Sequence, residues 1–250
     1  MRNLPAPLHP QVVDFLDGQP ANTSGTIDDI SVPEFREQFD KLITFQTTEN
    51  LKVQRVSLIS IPGPDSNINV RIYYPSINKR AERSTSPLIV YFHGGGHVVG
   101  NLDSHDSVAR RLCAEFESII ASIDYRLAPE HKFPAAIEDS YAATKWLADN
   151  ADDLGADTNE LSVAGDSAGG NIAAVVAIMA RDDIQGPRIK FQLLLYPVTD
   201  YSCDSNSYQI YGNGFGGLTA HRMLWFQQHY LPDLSCIEDW RASPLKATDL

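Results

Sequence analysis

The stretch 161–170 constrains the fold of this chain more than any other. Its sequence, LSVAGDSAGG, is a short apolar strand that runs into Gly165-x-Ser167-x-Gly169 and then into a helix of small and apolar residues. A serine at the tip of so sharp a turn takes a strained backbone conformation, and side chains at either glycine would collide with the neighbouring strand and helix. The pattern therefore predicts a nucleophile elbow at Ser167. A glycine-rich turn with an incidental serine is the competing interpretation.

A second glycine run follows an earlier apolar strand. The residues LIVYF at 88–92 predict a strand buried on both faces, and HGGGH follows them directly. Acyl transfer by a serine needs backbone amides that bind the tetrahedral oxyanion. We predict that the amides of Gly94, Gly95 and Ala168 form this oxyanion hole. Alone, the glycine run would be a tight turn, but both motifs end an apolar strand, which favours a catalytic site.

Composition and charge exclude several classes of partner. The chain has 250 residues and a net charge of −12, so no basic stripe is available to neutralise nucleic-acid phosphates. No run approaches the ~20 apolar residues of a transmembrane helix, and the first residues lack the apolar core of a signal peptide. The cysteines Cys113, Cys203 and Cys236 are too few and too scattered for a disulfide framework or a zinc site. We therefore expect a cytoplasmic protein with no nucleic-acid partner, no membrane span and no metal.

The remainder of the chain combines helix and strand patterns. The first fifty residues predict two short helices, the second opened by a capping box at Ser31 and Glu34. Two alternating strand patterns follow and predict an antiparallel pair at a sheet edge. Buried strands then alternate with helices, which predicts an α/β fold with a doubly wound, mostly parallel sheet. One of these helices is expected to have Asp103 or Ser104 as its cap.

Several motifs together resemble one known family. They are HGGG at 93–96, DYRLAPEHKFPAAIED at 124–139, GDSAGG at 165–170, the 225–231 segment and ASPL at 242–245. With these motifs the chain resembles the hormone-sensitive-lipase-like family of α/β-hydrolase carboxylesterases over nearly its whole length. The resemblance implies that the substrates are small esters with short to medium acyl chains, and that no cofactor is used.

The resemblance also implies a cap and a set of pocket residues. Residues 1–50, with part of 200–220, are expected to form a small helical cap over an α/β-hydrolase core at 51–250. The helical stripe of Phe35, Phe39 and Leu42 belongs to this cap. We assign substrate binding to four residues: His97, Asp166, Tyr208 and Phe215. The family usually carries an aromatic residue at the position of His97, so we expect a different pocket shape here.

The same resemblance places the other two triad residues outside this sequence. In the family the order is Ser, Asp, His, and the acid and base follow two strands beyond the segment matched by 243–245. We therefore expect the last strands and helices to be missing and the 250-residue chain to be inactive or nearly so. His221 and His229 are the upstream residues that could replace the base. His93 is expected to hold the glycine loop in shape.

Two functions from different classes remain open. The first is a carboxylic ester hydrolase that uses Ser167, and the second is a non-catalytic small-molecule binding protein on the same fold. The elbow and the oxyanion loop favour the first function, whereas the absent base favours the second. We also expect the sheet to end at the strand predicted for 190–196, which would leave an edge open to self-association.

Overall fold

Six strands form one mixed sheet in the described part of the chain. A computed structural model describes residues 9–17, 30–46, 51–76, 85–212 and 218–250, except the side chains at 15–17 and 42–46. The strands are β1 (Arg55–Ile61), β2 (Ile68–Tyr74), β3 (Ser86–Phe92), β4 (Ile119–Asp124), β5 (Ala156–Asp166) and β6 (Phe191–Leu195). Their order is β1-β2-β4-β3-β5-β6, antiparallel from β1 to β4 and parallel from β4 to β6. The predicted antiparallel edge pair and mostly parallel sheet are confirmed.

Helices cover both faces of this sheet. They are α1 (Pro10–Asp17), α2 (Val32–Gln46), α3 (Asp106–Phe116), α4 (Ala135–Asp149), α5 (Ala151–Leu154), α6 (Ala168–Asp182), α7 (Asn206–Tyr211) and α8 (Ala220–Tyr230). Strand side chains alternate between faces, so Val90 and Phe92 join a large apolar cluster with α4 and α6. Tyr91 and Ala164 point the other way and join a smaller cluster with α3. No described helix has the length and apolar character needed to span a bilayer.

Helix α2 begins at the predicted capping box. The Glu34 amide donates to Ser31 Oγ at 3.4 Å, and the Ser31 amide donates to the Glu34 carboxylate at 3.0 Å. The buried Phe35 then packs edge-on against Trp225 of α8, with ring centroids 5.2 Å apart. The capping box is therefore confirmed, and it fixes where the apolar face of α2 starts.

Arg36 fastens α2 to the body of the protein. Its guanidinium donates to the carbonyl of Val98 at 2.8 Å and to that of Ala128 at 2.9 Å. The same group forms a bidentate pair with Glu130, both bonds being 2.8 Å long. Because two of the acceptors are backbone atoms on separate loops, one side chain ties α2 to both of them.

Helix α3 begins later than expected. Its first residue is Asp106, and no side chain caps it. Instead, Asn101 Oδ1 accepts from the amides of Asp103 and Ser104 at 2.9 and 2.8 Å, which makes these residues part of a preceding turn. Asp103 also forms an ion pair with Arg71 at 2.7 Å. The prediction of a cap at Asp103 or Ser104 is therefore wrong, because both residues are committed to the turn.

Strand β6 forms the second edge of the described sheet. It pairs with β5 along one side. Phe191 at its start is 62% exposed, and Tyr196 just after its end is 77% exposed. The predicted apolar edge is thus present in the described residues, and self-association through it stays a prediction.

Candidate active site

Ser167 alone makes the turn between β5 and α6. The strand ends at Asp166 and the helix begins at Ala168. The φ of 54° and ψ of −116° at Ser167 lie in a region that residues with a Cβ rarely adopt, typically at a cost of about 1–3 kcal/mol. The backbone strain predicted for the elbow is therefore present.

Backbone crowding explains the two glycines of the elbow. A Cβ at Gly169 would overlap the carbonyl of Phe92 at the end of β3, and a Cβ at Gly165 would overlap the carbonyl of Gly169. Strands and helix thus cross in backbone contact, which only residues without a side chain permit. The predicted collisions are confirmed.

Backbone hydrogen bonds hold the strained serine from three sides. The Ser167 amide donates to the carbonyl of Leu195 at the end of β6, at 2.9 Å. The Ser167 carbonyl accepts from the amides of Asn171 at 3.0 Å and Val198 at 3.2 Å. Asn171 Nδ2 in turn donates to the carbonyls of Val198 and Ala242, at 2.7 and 2.8 Å. The elbow is therefore fixed by β6 and by the segments that follow it.

The glycine run lies beside the elbow. Phe92 pairs with Gly165, so the loop after β3 and the elbow after β5 leave the sheet at the same end. We call residues 93–100 the oxyanion loop. The Gly94 amide donates to Asp166 Oδ1 at 3.1 Å, whereas the amides of Gly95 and Ala168 donate to no group in the described residues. Of the three amides predicted for an oxyanion hole, that of Gly94 is therefore bound within the protein, and the other two have no acceptor in the described residues.

Asp166 is enclosed between the two loops. Its Oδ1 also accepts from the Tyr91 hydroxyl at 2.6 Å, and its Oδ2 lies 3.7 Å from His105 Nε2, an electrostatic contact longer than a hydrogen bond. Burial raises the pKa of Asp166, but His105 and the Tyr91 hydroxyl outweigh this effect, and the pKa lies below its usual value. Burial and the Asp166 charge raise the pKa of Tyr91 well above normal. The sequence pattern predicted neither Tyr91 nor His105 as a residue of the site.

His93 supports the oxyanion loop from within. A carbonyl can only accept, so His93 Nδ1 donates to the Gly94 carbonyl at 2.8 Å. The ring stacks on Tyr125 with centroids 4.4 Å apart, and the Tyr125 hydroxyl donates to the His93 carbonyl at 2.6 Å. Burial and the neighbouring His105 lower the pKa of His93 to about 3. His93 thus contacts the loop as predicted.

His97 is buried in an aromatic stack. It has a φ of 61°, and its ring lies parallel to that of Tyr230, with centroids 3.8 Å apart. Neither ring nitrogen has a hydrogen-bond partner in the described residues. Burial, with a smaller effect of His93, lowers the pKa of His97 to about 3. The structure therefore packs this predicted pocket residue against α8.

The other two predicted pocket residues lie further along the chain. Tyr208 is half-buried in α7, where its hydroxyl accepts from Cys203 Sγ at 3.5 Å. Phe215 lies outside the described residues. The structure brings Gly94 into contact with Asp166, the neighbour of Ser167 in sequence, whereas Tyr208 forms its hydrogen bond with Cys203.

No histidine is bonded to the nucleophile in the described structure. The chain has seven histidines, all in described ranges, and none forms a hydrogen bond with Ser167 Oγ. His229 Nδ1 instead donates to the Trp225 carbonyl at 2.8 Å, and its ring packs on Trp225 with centroids 4.0 Å apart. His221 is exposed on α8. Neither upstream candidate is placed as a base.

A cavity of about 390 Å³ lies beside α2 and the end of the oxyanion loop. Its lining residues are Arg36, Asp40, Gly100, Asn101, Leu127, Glu130 and His131. None belongs to the elbow, and both charged residues of the Arg36–Glu130 pair already bind each other. Within the described ranges, no three His, Cys, Asp or Glu side chains gather into a metal-binding group.

The chain is similar to proteins of one family, several of which are ester hydrolases. Residues 89–250 match the family described as alpha/beta hydrolase fold. The carboxylic ester hydrolase LipN of Mycobacterium tuberculosis is 45% identical over 200 residues, which cover 78% of this chain and 52% of LipN. The ethyl acetate hydrolase of Pseudomonas putida is 37% identical over 221 residues, covering 86% of this chain and 67% of that enzyme. The chain spans about half the length of LipN and of the other mycobacterial esterases it matches.

A solved structure shares the same fold. The hyperthermophilic esterase from the archaeon Pyrobaculum calidifontis superimposes with a TM-score of 0.88 at 41% identity. The match covers 97% of this chain and 76% of that esterase. The sequence comparison and the structural comparison thus both find similarity to esterases of the alpha/beta hydrolase fold.

Proposed function

The chain belongs to the alpha/beta hydrolase fold family, among its hormone-sensitive-lipase-like carboxylesterases. From this premise we propose that the protein hydrolyses short- to medium-chain carboxylic esters with Ser167 as nucleophile. One observation carries the proposal: the elbow and the oxyanion loop leave paired strands at the same end of the sheet. There the amides of Gly95 and Ala168 have no acceptor among the described residues. The names of the relatives support ester hydrolysis.

The proposed reaction consists of two acyl transfers. Ser167 Oγ attacks the acyl carbon while its proton passes to a base, and the Gly95 and Ala168 amides bind the oxyanion that forms. The N-terminal end of α6 adds a favourable dipole at this oxygen. Collapse of the intermediate expels the alcohol, which takes up a proton, and leaves an acyl-serine. Water then attacks the acyl-serine, releases the acid and restores the Ser167 hydroxyl.

A covalent probe tests the assignment. We expect a fluorophosphonate to label the peptide that contains Ser167 in the protein expressed from its complete gene, and the same preparation to hydrolyse p-nitrophenyl butyrate. The loss of turnover should be proportional to the fraction of Ser167 that is labelled. Turnover that survives complete labelling of Ser167 would contradict the proposal.

A second function, binding of a small molecule without turnover, is favoured by one observation. None of the seven histidines is bonded to Ser167 Oγ in the described structure, so the serine keeps its proton. This alternative predicts ester binding, measured by calorimetry, without fluorophosphonate labelling and without release of p-nitrophenol. The probe experiment therefore separates the two functions.

The 250-residue chain by itself is expected to turn over esters slowly. With no base hydrogen-bonded to Ser167 Oγ among the described residues, only the oxyanion amides and substrate binding contribute, roughly 10³- to 10⁴-fold over water. The measurement is release of p-nitrophenol from the acetate and butyrate esters by the purified chain. A kcat of ~10 s⁻¹, the median for enzymes, would show that a histidine of this chain, or one from a partner, serves as the base.

The helical cap is proposed to select acyl-chain length. Phe35 of α2 packs against both Trp225 and Phe226, at centroid distances of 5.2 and 5.8 Å, and Phe39 continues the same face. An apolar pocket typically discriminates by ~1–3 kcal/mol for each methylene, so removing residues 1–45 should flatten the profile of kcat/KM against acyl length. The matched control is Phe116→Ala, which removes an exposed phenyl ring from α3. An unchanged profile in the truncated protein would place specificity elsewhere.

A further inference from the structure

Asp166 joins the two loops of the proposed site. Its Oδ1 accepts from the Tyr91 hydroxyl at 2.6 Å and from the Gly94 amide at 3.1 Å. Gly94 belongs to the oxyanion loop, and Asp166 directly precedes Ser167. One carboxylate therefore connects the loop after β3 to the elbow after β5.

We propose that Asp166 is a positioning residue, supported by Tyr91, that holds the oxyanion loop in register with Ser167. The inference rests on the proposed esterase function and assigns Asp166 a role other than substrate binding. Asp166 would act through the Gly94 amide, and through it on the Gly95 amide that follows in the proposed oxyanion hole.

The surroundings of Asp166 argue against contact with a substrate. Its side chain is 13% exposed, and Tyr91 is fully buried. A Cβ at Gly94 would overlap the Asp166 carboxylate, so this carboxylate packs directly on the loop backbone. His105 closes the remaining side at 3.7 Å. Because Oδ1 already accepts from two protein donors and Oδ2 faces His105, Asp166 is placed to act through the Gly94 backbone that it holds.

The effect on the reaction follows from the position of Gly94. Its peptide leads directly to Gly95, so a shift of Gly94 moves the Gly95 amide away from the oxyanion. Loss of one oxyanion donor typically lowers kcat by about 10²- to 10³-fold, and a misplacement of about 1 Å can cost 10²-fold. We expect Asp166→Ala, which releases the Gly94 amide, to lower kcat by roughly 10- to 100-fold with little change in KM.

Three variants and one control test this role. Asp166→Ala removes both hydrogen bonds, whereas the amide oxygen of Asp166→Asn can still accept from Gly94 and Tyr91 and should restore most of kcat. Tyr91→Phe removes the support alone and should give a smaller loss. The control is Tyr73→Phe, because the Tyr73 hydroxyl donates to Asp106 at 2.7 Å in the same apolar cluster, without touching the oxyanion loop. It should lower stability without lowering kcat.

A second readout needs no substrate. Hydrogen exchange of the Gly94 amide, followed by NMR, should accelerate in Asp166→Ala but not in Tyr73→Phe. Faster exchange together with a kcat loss that Asp166→Asn reverses supports the proposal. Unchanged exchange, a loss that Asp166→Asn fails to reverse, or an effect confined to KM overturns it. If no variant and no unmodified protein turns over ester, the proposed function fails, and the Gly94 exchange rate alone decides whether Asp166 holds the loop.

Discussion

Replacing Ser167 by alanine is expected to lower kcat for p-nitrophenyl butyrate by roughly 10⁴- to 10⁶-fold in the protein expressed from its complete gene. The reason is that no acyl-serine can form, and only direct attack by water on an ester bound at the Gly95 and Ala168 amides remains. Alanine keeps the Cβ of serine and therefore the same backbone strain, so the free energy of unfolding should change little. Steady-state kinetics and urea unfolding measure the two quantities.

A glycine at the same position provides the matched control. Ser167→Gly should be as inactive as Ser167→Ala, yet more stable by about 1–2 kcal/mol, because glycine adopts a φ of 54° with little strain. Undiminished turnover by either variant would remove Ser167 from the mechanism. A stability of Ser167→Gly below that of the unmodified protein would contradict the strain at the elbow.

Acid is expected to lower the free energy of unfolding through two buried histidines, His93 and His97. The substitution His97→Phe should remove the contribution of His97. Burial lowers the pKa of both His93 and His97 to about 3, whereas an unfolded histidine has a pKa near ~6.5. Between these two pKa values the unfolded chain binds protons that the folded chain does not. The free energy of unfolding therefore falls as pH decreases from ~6.5 toward ~3, by about 1.4 kcal/mol per pH unit for each histidine.

His97→Phe should reduce the slope of unfolding free energy against pH by about 1.4 kcal/mol per pH unit, measured by urea unfolding between pH ~4.5 and ~6. At pH ~8 it should also be more stable, by about 1–3 kcal/mol, because it removes two buried nitrogens that lack partners among the described residues. Tyr230→Phe is the control: it removes the hydroxyl from the same stack but no group that titrates in this range. A slope in His97→Phe equal to that of the unmodified protein would contradict the burial of a neutral His97.

The elbow could be predicted from sequence because its constraints are steric and local. The turn forces Ser167 into positive φ, and Gly165 must clear the carbonyl of Gly169, only four residues further along the chain. The capping box at Ser31 and Glu34 is predictable for the same reason, since its two hydrogen bonds span three residues.

The surroundings of Asp166 could not be predicted in this way, because its partner Tyr91 is 75 residues away in sequence. A signal was nevertheless available. Tyr91 pairs with Ala164, and Asp166 follows two residues later on the same face of β5, so the alternation of strand side chains places the two groups together once β3 and β5 are paired. His97 gave no such signal, since its contact with Tyr230 depends on how α8 lies across the loop.

The hydrogen bonds of Asn171 make some positions around the elbow more tolerant of substitution than others. Its side chain bonds the backbone carbonyls of Val198 and Ala242, and every residue type offers such a carbonyl. Substitutions at positions 198 and 242 therefore leave both hydrogen bonds possible. At position 171 the two bonds require a side chain with two suitably placed donors. Two segments that are far apart in the chain thus depend on the identity of residue 171. Substitutions at positions 198 and 242 would not reveal this dependence, because they keep the backbone carbonyls.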